Sequence, residues 1–362
     1  MTLTVKVPPS KSISNRVLVM ALFEPKTLLN VLKSDDTEVM LSVYDKLGVE
    51  YEILREDTKS FDVRVDSGIK VAEAELFMNN AGTATRFMLP LLCTVAGEFV
   101  MTGNPRMLQR PIGDLVDALR QLGAKIEYLG QEGFLPLSVN GGLLRGSCSV
   151  RGDVSSQYLS GLLITQSFAG GFKIEIEGEL VSKPYVDLTK AVIEDFKNCE
   201  SYEVEGDASS ASYWWAIGAI VSNVPDNTLQ ADYKFLEAKD LLPSEIDCVE
   251  FPDSAMTLAV LAAITPGKTV LTGLSNLKYK ECDRLQALET EINRVGGKAK
   301  AFDDGLEIEG VTELHGAKVE TYDDHRMAMC MAVLKHSCNE IEILDPGCVS
   351  KTYPTFFDEF PV

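Results

Sequence analysis

The sequence predicts an α+β protein of two domains that is built by duplication of one small unit. The first observation is length, because 362 residues exceed what one ordinary hydrophobic core accommodates and suffice for two. The second is a recurring pattern, in which an amphipathic helix ends at glycine and is followed by two short strands. The composition is that of a folded protein, with 45% hydrophobic and 24% charged residues.

The recurring unit is a helix, a glycine cap, a strand, a turn and a second strand. Its copies cover residues 44–65, 115–139 and 285–308. In the second copy, leucines fall on one face of the predicted helix and Gly123 follows as its cap. Alternating apolar and polar residues after the glycine predict half-buried strands. Helix–glycine–strand junctions also recur by chance, so this pattern alone leaves duplication and coincidence open.

The charge balance restricts the class of ligand. The chain carries 34 Lys and Arg against 54 Asp and Glu, which gives a net charge of −20. Such a mean field repels polyanions, so we do not expect nucleic acid or an anionic membrane as a partner. An anionic small molecule would have to be held by a local concentration of Lys and Arg.

Other counts point to an intracellular protein without a metal centre. No apolar run reaches the roughly 18 residues of a membrane span. Eight Cys without a CxxC pair and only three His argue against a zinc site. A long chain sparse in Cys is typical of a reduced compartment, and we see no targeting segment, so we expect a cytoplasmic location.

The first half of the chain has polar segments at the predicted starts of apolar helices. Residues 11–16 (Lys-Ser-Ile-Ser-Asn-Arg) precede an apolar run, and we expect Ser12 or Ser14 to cap that helix. Free N–H groups at a helix start favour an anion, and Lys11 and Arg16 add positive charge. Taken alone, a capped helix with solvated basic residues explains this segment equally well.

Similar segments follow along the chain. In 79–86, Gly82 and Thr83 would leave backbone and hydroxyl close to a ligand, with Arg86 one turn later. Further candidate polar ligands in this half are Asn80, Arg106, Arg110, Ser155, Ser156, Gln157, Ser182 and Lys183. Two hydroxyls and an amide at 155–157 suit a phosphate or the hydroxyls of a sugar-like ring.

The second half of the chain adds carboxylates to the cations. Asp253 lies just ahead of an apolar helix, and residues 276–284 alternate tightly in charge. Residues 323–327 (Asp-Asp-His-Arg-Met) follow, with Lys351 near the end. Each mixed run taken singly is more typical of a solvated face than of a functional site.

The joint occurrence of these motifs is more specific than any one of them. In order and wording they resemble the 5-enolpyruvylshikimate-3-phosphate synthase family. The N-terminal motifs concerned are 10–16, 80–86 (Asn-Ala-Gly-Thr-Ala-x-Arg), 105–107 with 110–113, and 154–157. The C-terminal motifs are 205–213, 280–284, 324–329 and 351–352. The resemblance covers nearly the whole chain.

The resemblance implies a fold and a domain organisation. The family has the enolpyruvyl transferase fold, in which repeated βαβαββ units form two domains with pseudo-threefold symmetry (an inside-out α/β barrel). One domain is expected to be discontinuous and to combine residues 1–10 with 207–362, and the inserted domain to be 11–206. Between Phe196 and Pro252 the repeat is missing or clipped. We therefore predict that two of the six units are shortened, one in each domain.

The resemblance also implies a reaction and its site. The family transfers the enolpyruvyl group of phosphoenolpyruvate to the 5-hydroxyl of shikimate 3-phosphate through a tetrahedral intermediate and releases phosphate, in chorismate and aromatic amino acid biosynthesis. The residues expected to bind shikimate 3-phosphate, mostly in the inserted domain, are Ser12, Arg16, Ser155, Ser156, Gln157, Ser182, Asp253, Asn276 and Lys280. Those expected to bind phosphoenolpyruvate are Lys11, Gly82, Arg110, Gln157, Arg284, Arg326 and Lys351, with Asn80, Thr83 and His325 beside them.

The catalytic roles follow from the chemistry of the implied reaction. One proton must reach the methylene carbon of phosphoenolpyruvate while another leaves the 5-hydroxyl. Glu281 is the candidate acid and Asp253 the candidate base, with Lys11 assisting proton transfer and His325 in the catalytic set. No metal or organic cofactor is expected. The expected partners are the two small-molecule substrates, and family precedent favours a monomer.

Two alternative functions stay open at this point. The sister enolpyruvyl transferase that acts on UDP-N-acetylglucosamine shares the fold, although the motifs at 10–16 and 155–157 favour the shikimate branch. A non-catalytic homologue that binds a sugar-acid phosphate is the other alternative, and the clipped middle of the chain gives it some support. Against it, every catalytic residue type is retained.

Overall fold

The structure, a computed structural model, describes residues 3–152, 155–178, 180 and 183–362. It divides into two compact units. The inserted unit is Pro9–Glu205, and the split unit combines the residues up to Pro8 with Gly206–Val362. Within the described ranges, no helix is both long and apolar enough to cross a membrane.

The described residues form twelve α-helices and eighteen β-strands. The helices are α1 (Lys11–Ala21), α2 (Asp35–Lys46), α3 (Gly82–Leu92), α4 (Gly113–Gln121), α5 (Ser156–Ala169), α6 (Lys183–Asn198), α7 (Ala208–Ala216), α8 (Phe235–Lys239), α9 (Pro252–Ala263), α10 (Arg284–Arg294), α11 (His325–Ser337) and α12 (Phe356–Glu359). The strands are β1 (Thr4–Val5), β2 (Thr27–Leu32), β3 (Tyr51–Glu56), β4 (Ser60–Val65), β5 (Glu73–Phe77), β6 (Gly97–Thr102), β7 (Lys125–Tyr128), β8 (Leu137–Gly141), β9 (Gly146–Arg151), β10 (Phe172–Glu177), β11 (Ser201–Glu203), β12 (Ile220–Val221), β13 (Glu245–Asp247), β14 (Gly267–Thr272), β15 (Lys298–Phe302), β16 (Gly305–Gly310), β17 (Lys318–Val319) and β18 (Glu342–Ile343).

The inserted unit contains two complete sheets and one strand pair. The complete sheets have the strand orders β11-β2-β4-β3 and β5-β6-β8-β7. In the second of these, β5 runs parallel to β6, and β6 pairs antiparallel with β8, placing Phe99 opposite Val139. The hairpin β7–β8 closes the sheet. The third sheet is the parallel pair β9–β10.

Three helices, one from each repeat, form the centre of the inserted unit. α1, α3 and α5 pack against one another, and their side chains are buried over long stretches, such as 13–21 and 84–92. A helix that is buried on all sides lies inside a core. The outer helices are amphipathic, and the predicted face of α4 is confirmed because Leu115 and Leu119 are buried. Gly123 follows α4 with a φ of 92°, which glycine adopts at little cost.

The split unit repeats this design. α7, α9 and α11 pack against one another and are buried along most of their lengths. Its complete sheet has the order β13-β14-β16-β15, in which β13 runs parallel to β14 and β16 pairs antiparallel with both β14 and β15. The parallel pairs β1–β12 and β17–β18 belong to the other two repeats.

The prediction of two shortened units, one in each half, locates two of the short repeats correctly but is wrong in number, because three repeats have two-stranded sheets among the described residues. After β10 and α6 the chain enters β11 of a neighbouring sheet without an intervening hairpin. After β12 and α8 it likewise continues directly into β13. The pair β17–β18 also has two strands, which was not predicted, because there the chain continues into a 3₁₀ helix at Pro346–Lys351 instead of a hairpin.

Candidate active site

Helix α1 begins the first cluster of polar side chains. Lys11 is its first residue and is half-buried, and Ser10 is its cap, with Oγ accepting from the Ile13 N–H at 3.5 Å. The expectation that Ser12 or Ser14 would cap this helix is wrong, because the helix starts before both. Their hydroxyls serve other partners within the unit. The four N–H groups at such a helix start leave positive charge available for an anion.

Arg16 lies behind this helix start and holds Ser12. Its Nη1 donates to the Ser12 carbonyl and hydroxyl, both at 2.7 Å, and its Nε donates to Thr189 Oγ1 at 2.9 Å. Nη2 donates to Tyr185 O and to Ser160 Oγ of α5. The side chain is 2% exposed, and burial lowers the pKa of Arg16 to about 10. Arg16 therefore fixes α1 against α5 and α6.

Helices α3 and α5 start side by side. Ser155 caps α5 by accepting from the Gln157 N–H at 3.3 Å, and Ser156 is the first helical residue. The Gln157 amide donates to Thr83 Oγ1 at 3.1 Å. The structure thus brings together Thr83, Gln157 and the two serines, as the sequence predicts. Ser182, expected in the same set, lies outside the described residues.

The start of α3 is covered by Arg110. Its Nη1 donates to Asn80 Oδ1 at 3.2 Å and to the Asn80 carbonyl at 3.3 Å. A Cβ placed on Gly82 would lie 2.5 Å from both terminal nitrogens of this guanidinium. Arg86 braces the same turn by donating to the carbonyls of Gly82 and Pro111. Glycine at 82 is therefore required for the close approach of Arg110.

The split unit holds a cluster of ion pairs around Arg284, the first residue of α10. Arg284 is 1% exposed and contacts three carboxylates. It donates to Asp324 at 2.7 and 3.1 Å, to Glu281 at 2.8 Å and to Asp253 at 3.1 Å. Burial would lower the pKa of Arg284, but the three carboxylates outweigh burial and raise it above the ordinary value.

Further cations extend this cluster in both directions. Arg326, near the start of α11, donates to Asp253 Oδ2 at 3.0 Å, and Lys280 Nζ lies 3.6 Å from Asp253 Oδ1. Lys351 Nζ lies 2.9 Å from Glu281 Oε1. The candidate base and the candidate acid therefore each lie between cations. An anionic ligand can bind here by replacing these carboxylates as the partner of the Lys and Arg side chains.

The two remaining predicted residues of the split unit lie near the starts of a central helix and of a 3₁₀ helix. His325 is buried at the start of α11, with Nδ1 3.7 Å from Asp324 Oδ1. Asn276 belongs to the 3₁₀ helix Ser275–Tyr279. The buried Oδ1 of Asn276 has no hydrogen-bond partner among the described residues, which suits an atom that meets a ligand.

Asp324 is a site residue whose role the sequence motifs did not indicate. It caps α11 by accepting from the Arg326 N–H at 2.9 Å, and it holds Arg284 with both oxygens. An acidic residue directly before a predicted apolar helix is a cap signal that the sequence did offer. Its pairing with Arg284 joins residues 40 positions apart, and no local pattern shows such a pair.

The described residues contain no group of three or more His, Cys, Asp or Glu side chains arranged to hold a metal ion. Cys282 lies within the cluster, where its thiol donates to Asp324 at 3.6 Å. Burial raises the pKa of this thiol, so it stays protonated near neutral pH. Cys330 is buried in α11, with its pKa raised by burial to about 12. We therefore interpret both cysteines as packing residues.

Comparison with known sequences gives a family match over most of the chain. The family model described as EPSP synthase (3-phosphoshikimate 1-carboxyvinyltransferase) matches residues 1–199 and 237–360. The 3-phosphoshikimate 1-carboxyvinyltransferase of Shewanella woodyi is 41% identical, covering 99% of this chain and 96% of the relative. The 3-phosphoshikimate 1-carboxyvinyltransferase of Vibrio cholerae is 40% identical, covering 98% of this chain and 95% of the relative. The Shewanella alignment spans 407 positions against 362 residues here, in agreement with the shortened repeats.

Comparison with solved structures supports the fold. An EPSP synthase structure from Acinetobacter baumannii has a TM-score of 0.77 and covers 98% of this chain and 94% of its own. Its sequence identity to this chain is 22%. The architecture of repeated units around central helices is therefore the one expected.

Proposed function

Because the chain belongs to the EPSP synthase (3-phosphoshikimate 1-carboxyvinyltransferase) family, we propose that it catalyses that family's reaction. In this reaction the 5-hydroxyl oxygen of shikimate 3-phosphate bonds to C2 of phosphoenolpyruvate, which gains a proton at its methylene carbon. The tetrahedral intermediate then loses phosphate and a methyl proton, giving the enolpyruvyl ether. The observation that carries the proposal is the set of Lys and Arg side chains at the starts of buried central helices.

This arrangement resolves the charge problem of an acidic protein with anionic substrates. The chain has a net charge of −20, yet α1, α3 and α11 each start beside a cation. Helix N-termini and bidentate guanidinium groups are the usual protein partners of phosphates and carboxylates. Two phosphate esters and a carboxylate require many such donors.

We assign the substrates to the residue sets given by the resemblance. The residues proposed to bind phosphoenolpyruvate are Lys11, Gly82, Arg110 and Gln157 of the inserted unit and Arg284, Arg326 and Lys351 of the split unit, with Gln157 shared between both substrates. The remaining members, proposed to bind shikimate 3-phosphate, are Ser12, Arg16, Ser155, Ser156, Gln157, Ser182, Asp253, Asn276 and Lys280. Support comes from the short distances that join members of these sets to the neighbouring predicted residues, such as Gln157 to Thr83 and Arg110 to Asn80.

The acid and base assignments rest on the ion-pair cluster of the split unit. Asp253 accepts from Arg284 and Arg326, which hold its carboxylate in one orientation for removal of the 5-hydroxyl proton. Glu281 accepts from Arg284 and lies beside Lys351. A substrate phosphate or carboxylate that recruits these cations frees Glu281 to carry the proton destined for the methylene carbon.

We further propose that the two compact units are the two domains of the family, with boundaries close to residues 10 and 206. The division of the described chain near Pro8 and Glu205 supports this. We propose that the enzyme acts as a monomer, as family precedent implies, and in the cytoplasm, as the low cysteine content indicates. The UDP-N-acetylglucosamine alternative is not favoured, since the named relatives are 3-phosphoshikimate 1-carboxyvinyltransferases.

One assay separates the proposed function from its alternatives. Phosphate release is measured with phosphoenolpyruvate and shikimate 3-phosphate, and in parallel with phosphoenolpyruvate and UDP-N-acetylglucosamine. Binding of shikimate 3-phosphate is measured by calorimetry on the same preparation. We expect turnover only with shikimate 3-phosphate. Binding without turnover would identify a non-catalytic homologue, and turnover with the nucleotide sugar would identify the sister activity.

A further inference from the structure

Helix α9, which carries Asp253 in its first turn, has no cap from its own sequence. Its cap position is Phe251, which has no side chain able to accept a hydrogen bond, and Pro252 occupies the first helical position. The N–H groups of a first helical turn have no partner within the helix. The start of α9 is buried, so a partner for these groups has to come from elsewhere in the unit.

That partner is Asp232, in the short 3₁₀ helix Ala231–Lys234. Its Oδ1 accepts from the Ser254 N–H at 2.8 Å, and its Oδ2 accepts from the Ser209 hydroxyl at 2.6 Å. Ser209 belongs to α7 and Ser254 to α9, so one carboxylate joins the starts of two central helices. Asp232 is only 4% exposed.

The electrostatic surroundings of Asp232 include the candidate base. Burial raises the pKa of Asp232, the charge of Asp253 raises it further, and Arg326 together with the two hydrogen bonds opposes that rise. Retaining an acidic side chain at such a buried position is costly unless its hydrogen bonds are needed there.

The neighbouring residue Gln230 acts in the same way on α7. Its Oε1 accepts from the Ala208 N–H at 3.1 Å, and its Nε2 donates to the Gly206 carbonyl at 2.7 Å. The segment with Gln230 and Asp232 thus supports two central helix starts from outside. It lies within 200–236, an internal part of the chain that the family model does not match.

We propose that Asp232 is a positioning residue that places the candidate base Asp253, by holding the amide of the residue that follows it. The inference rests on the proposed function. Without the Ser254 N–H bond, the first turn of α9 is free to shift, and the Asp253 carboxylate shifts with it. A displacement of about 1 Å at a reacting group costs on the order of 10²-fold in rate.

The experiment is a double-mutant cycle in kcat. The variants are Asp232→Ala, Asp253→Asn and the two combined, with Asp232→Asn as the conservative replacement. Asp226→Ala is the matched control, because Asp226 lies in the same segment and its carboxylate accepts from the exposed Tyr233 hydroxyl instead. Phosphate release, the KM of each substrate and the thermal unfolding midpoint are measured for every variant.

We expect Asp232→Ala to lower kcat by ~10²-fold, with the KM for phosphoenolpyruvate changed less than threefold. We expect Asp232→Asn to keep kcat within about threefold, since its amide oxygen accepts from the Ser254 N–H and its amide nitrogen can donate to Ser209. In the Asp253→Asn background, the alanine substitution should lower kcat by less than about twofold further, because there is no base left to misplace.

Three results would overturn the proposal. If Asp232→Ala lowers kcat by the same factor in the wild-type and Asp253→Asn backgrounds, Asp232 acts independently of the base. A loss of tenfold or more in folded Asp232→Asn would show that the charge, and not the hydrogen bond, is required. An equal loss in Asp226→Ala would reduce the effect to general loosening of the segment. If Asp232→Ala does not fold, the kcat of Asp232→Asn still tests the proposal, because this variant keeps the hydrogen bonds and removes the charge. An inactive wild type would instead refute the proposed function.

Discussion

A methyl group on Gly82 tests how Arg110 meets phosphoenolpyruvate. Gly82 is the first residue of α3 and does not have a left-handed backbone, so alanine fits its conformation and favours the helix. The added Cβ would lie 2.5 Å from Nη1 and Nη2 of Arg110 and 2.6 Å from Cζ. Ordinary contact begins near 3.4 Å, so the guanidinium must retreat by about 0.9 Å. The substitution therefore displaces one cation and leaves the fold intact.

The magnitude follows from the hydrogen bonds that this retreat breaks. The bonds from Arg110 to Asn80, at 3.2 and 3.3 Å, are already long and do not survive the shift. A charge-assisted hydrogen bond to a ligand contributes about 1.5–3 kcal/mol, which corresponds to roughly 10- to 100-fold in affinity. We expect the KM for phosphoenolpyruvate to rise by that factor in Gly82→Ala. The KM for shikimate 3-phosphate should stay within about twofold.

The assay is steady-state phosphate release with each substrate varied in turn. Gly142→Ala is the matched control, because a Cβ at Gly142 meets nothing within 4 Å and the position belongs to the same unit. The control should leave both KM values unchanged, and both variants should unfold at the wild-type temperature or above. An unchanged KM for phosphoenolpyruvate in Gly82→Ala would refute the placement of Arg110 on that substrate.

Three further outcomes are expected from the same structure. Glu281→Gln should lower kcat by ~10²–10⁴-fold and retain binding of shikimate 3-phosphate in calorimetry. Asp253→Asn should lower kcat comparably and also weaken that binding. A near-normal kcat in Glu281→Gln would assign the role of acid to Lys11 instead. Burial raises the pKa of Asp232 in the folded protein, so its contribution to stability is present at acidic pH and is lost as pH rises through the raised value. The urea midpoint of Asp232→Asn relative to wild type should therefore increase from pH 4 to pH 7. A stability advantage of Asp232→Asn that grows toward acidic pH would contradict the burial argument. Cys282→Ala should keep kcat/KM within about threefold of wild type. Iodoacetamide should not label the Cys282 thiol of the native enzyme at pH 7.5, because burial raises its pKa. Rapid labelling with loss of activity would contradict its role as a packing residue.

Local features of the fold were accessible from the sequence. The face of α4 with Leu115 and Leu119, its glycine cap, and the polar residues at the starts of α1, α3 and α5 are all patterns within a few residues. Periodicity and cap chemistry act at this range, so the sequence is sufficient for them. The predicted cap of α1 was two or four residues too late, because Ser10, Ser12 and Ser14 are chemically equivalent candidates in sequence.

Pairings between distant residues were not accessible. Arg284 meets Asp324 across 40 positions, and Asp232 meets Ser254 across 22. Each of these acidic residues is followed by helix-forming sequence, but the identity of its partner depends on how the repeats pack. The third two-stranded repeat was also missed, since it follows from where the chain goes after β18 and not from any local signal.

The parallel pair β9–β10 lacks the hairpin of the complete sheets, which leaves β10 with an open edge among the described residues. In the sheet β5-β6-β8-β7 the second strand is covered by β8, whereas among the described residues β10 pairs with β9 alone. Such an edge invites pairing between molecules, and natural proteins protect edges with charged side chains. In β10 the charged residues Lys173, Glu175 and Glu177 alternate with apolar ones, of which Ile176 is 45% exposed. Because the side chains of a strand alternate between its two faces, these three charges lie together on one face of β10, and charged residues on an edge strand disfavour pairing with a strand of another molecule.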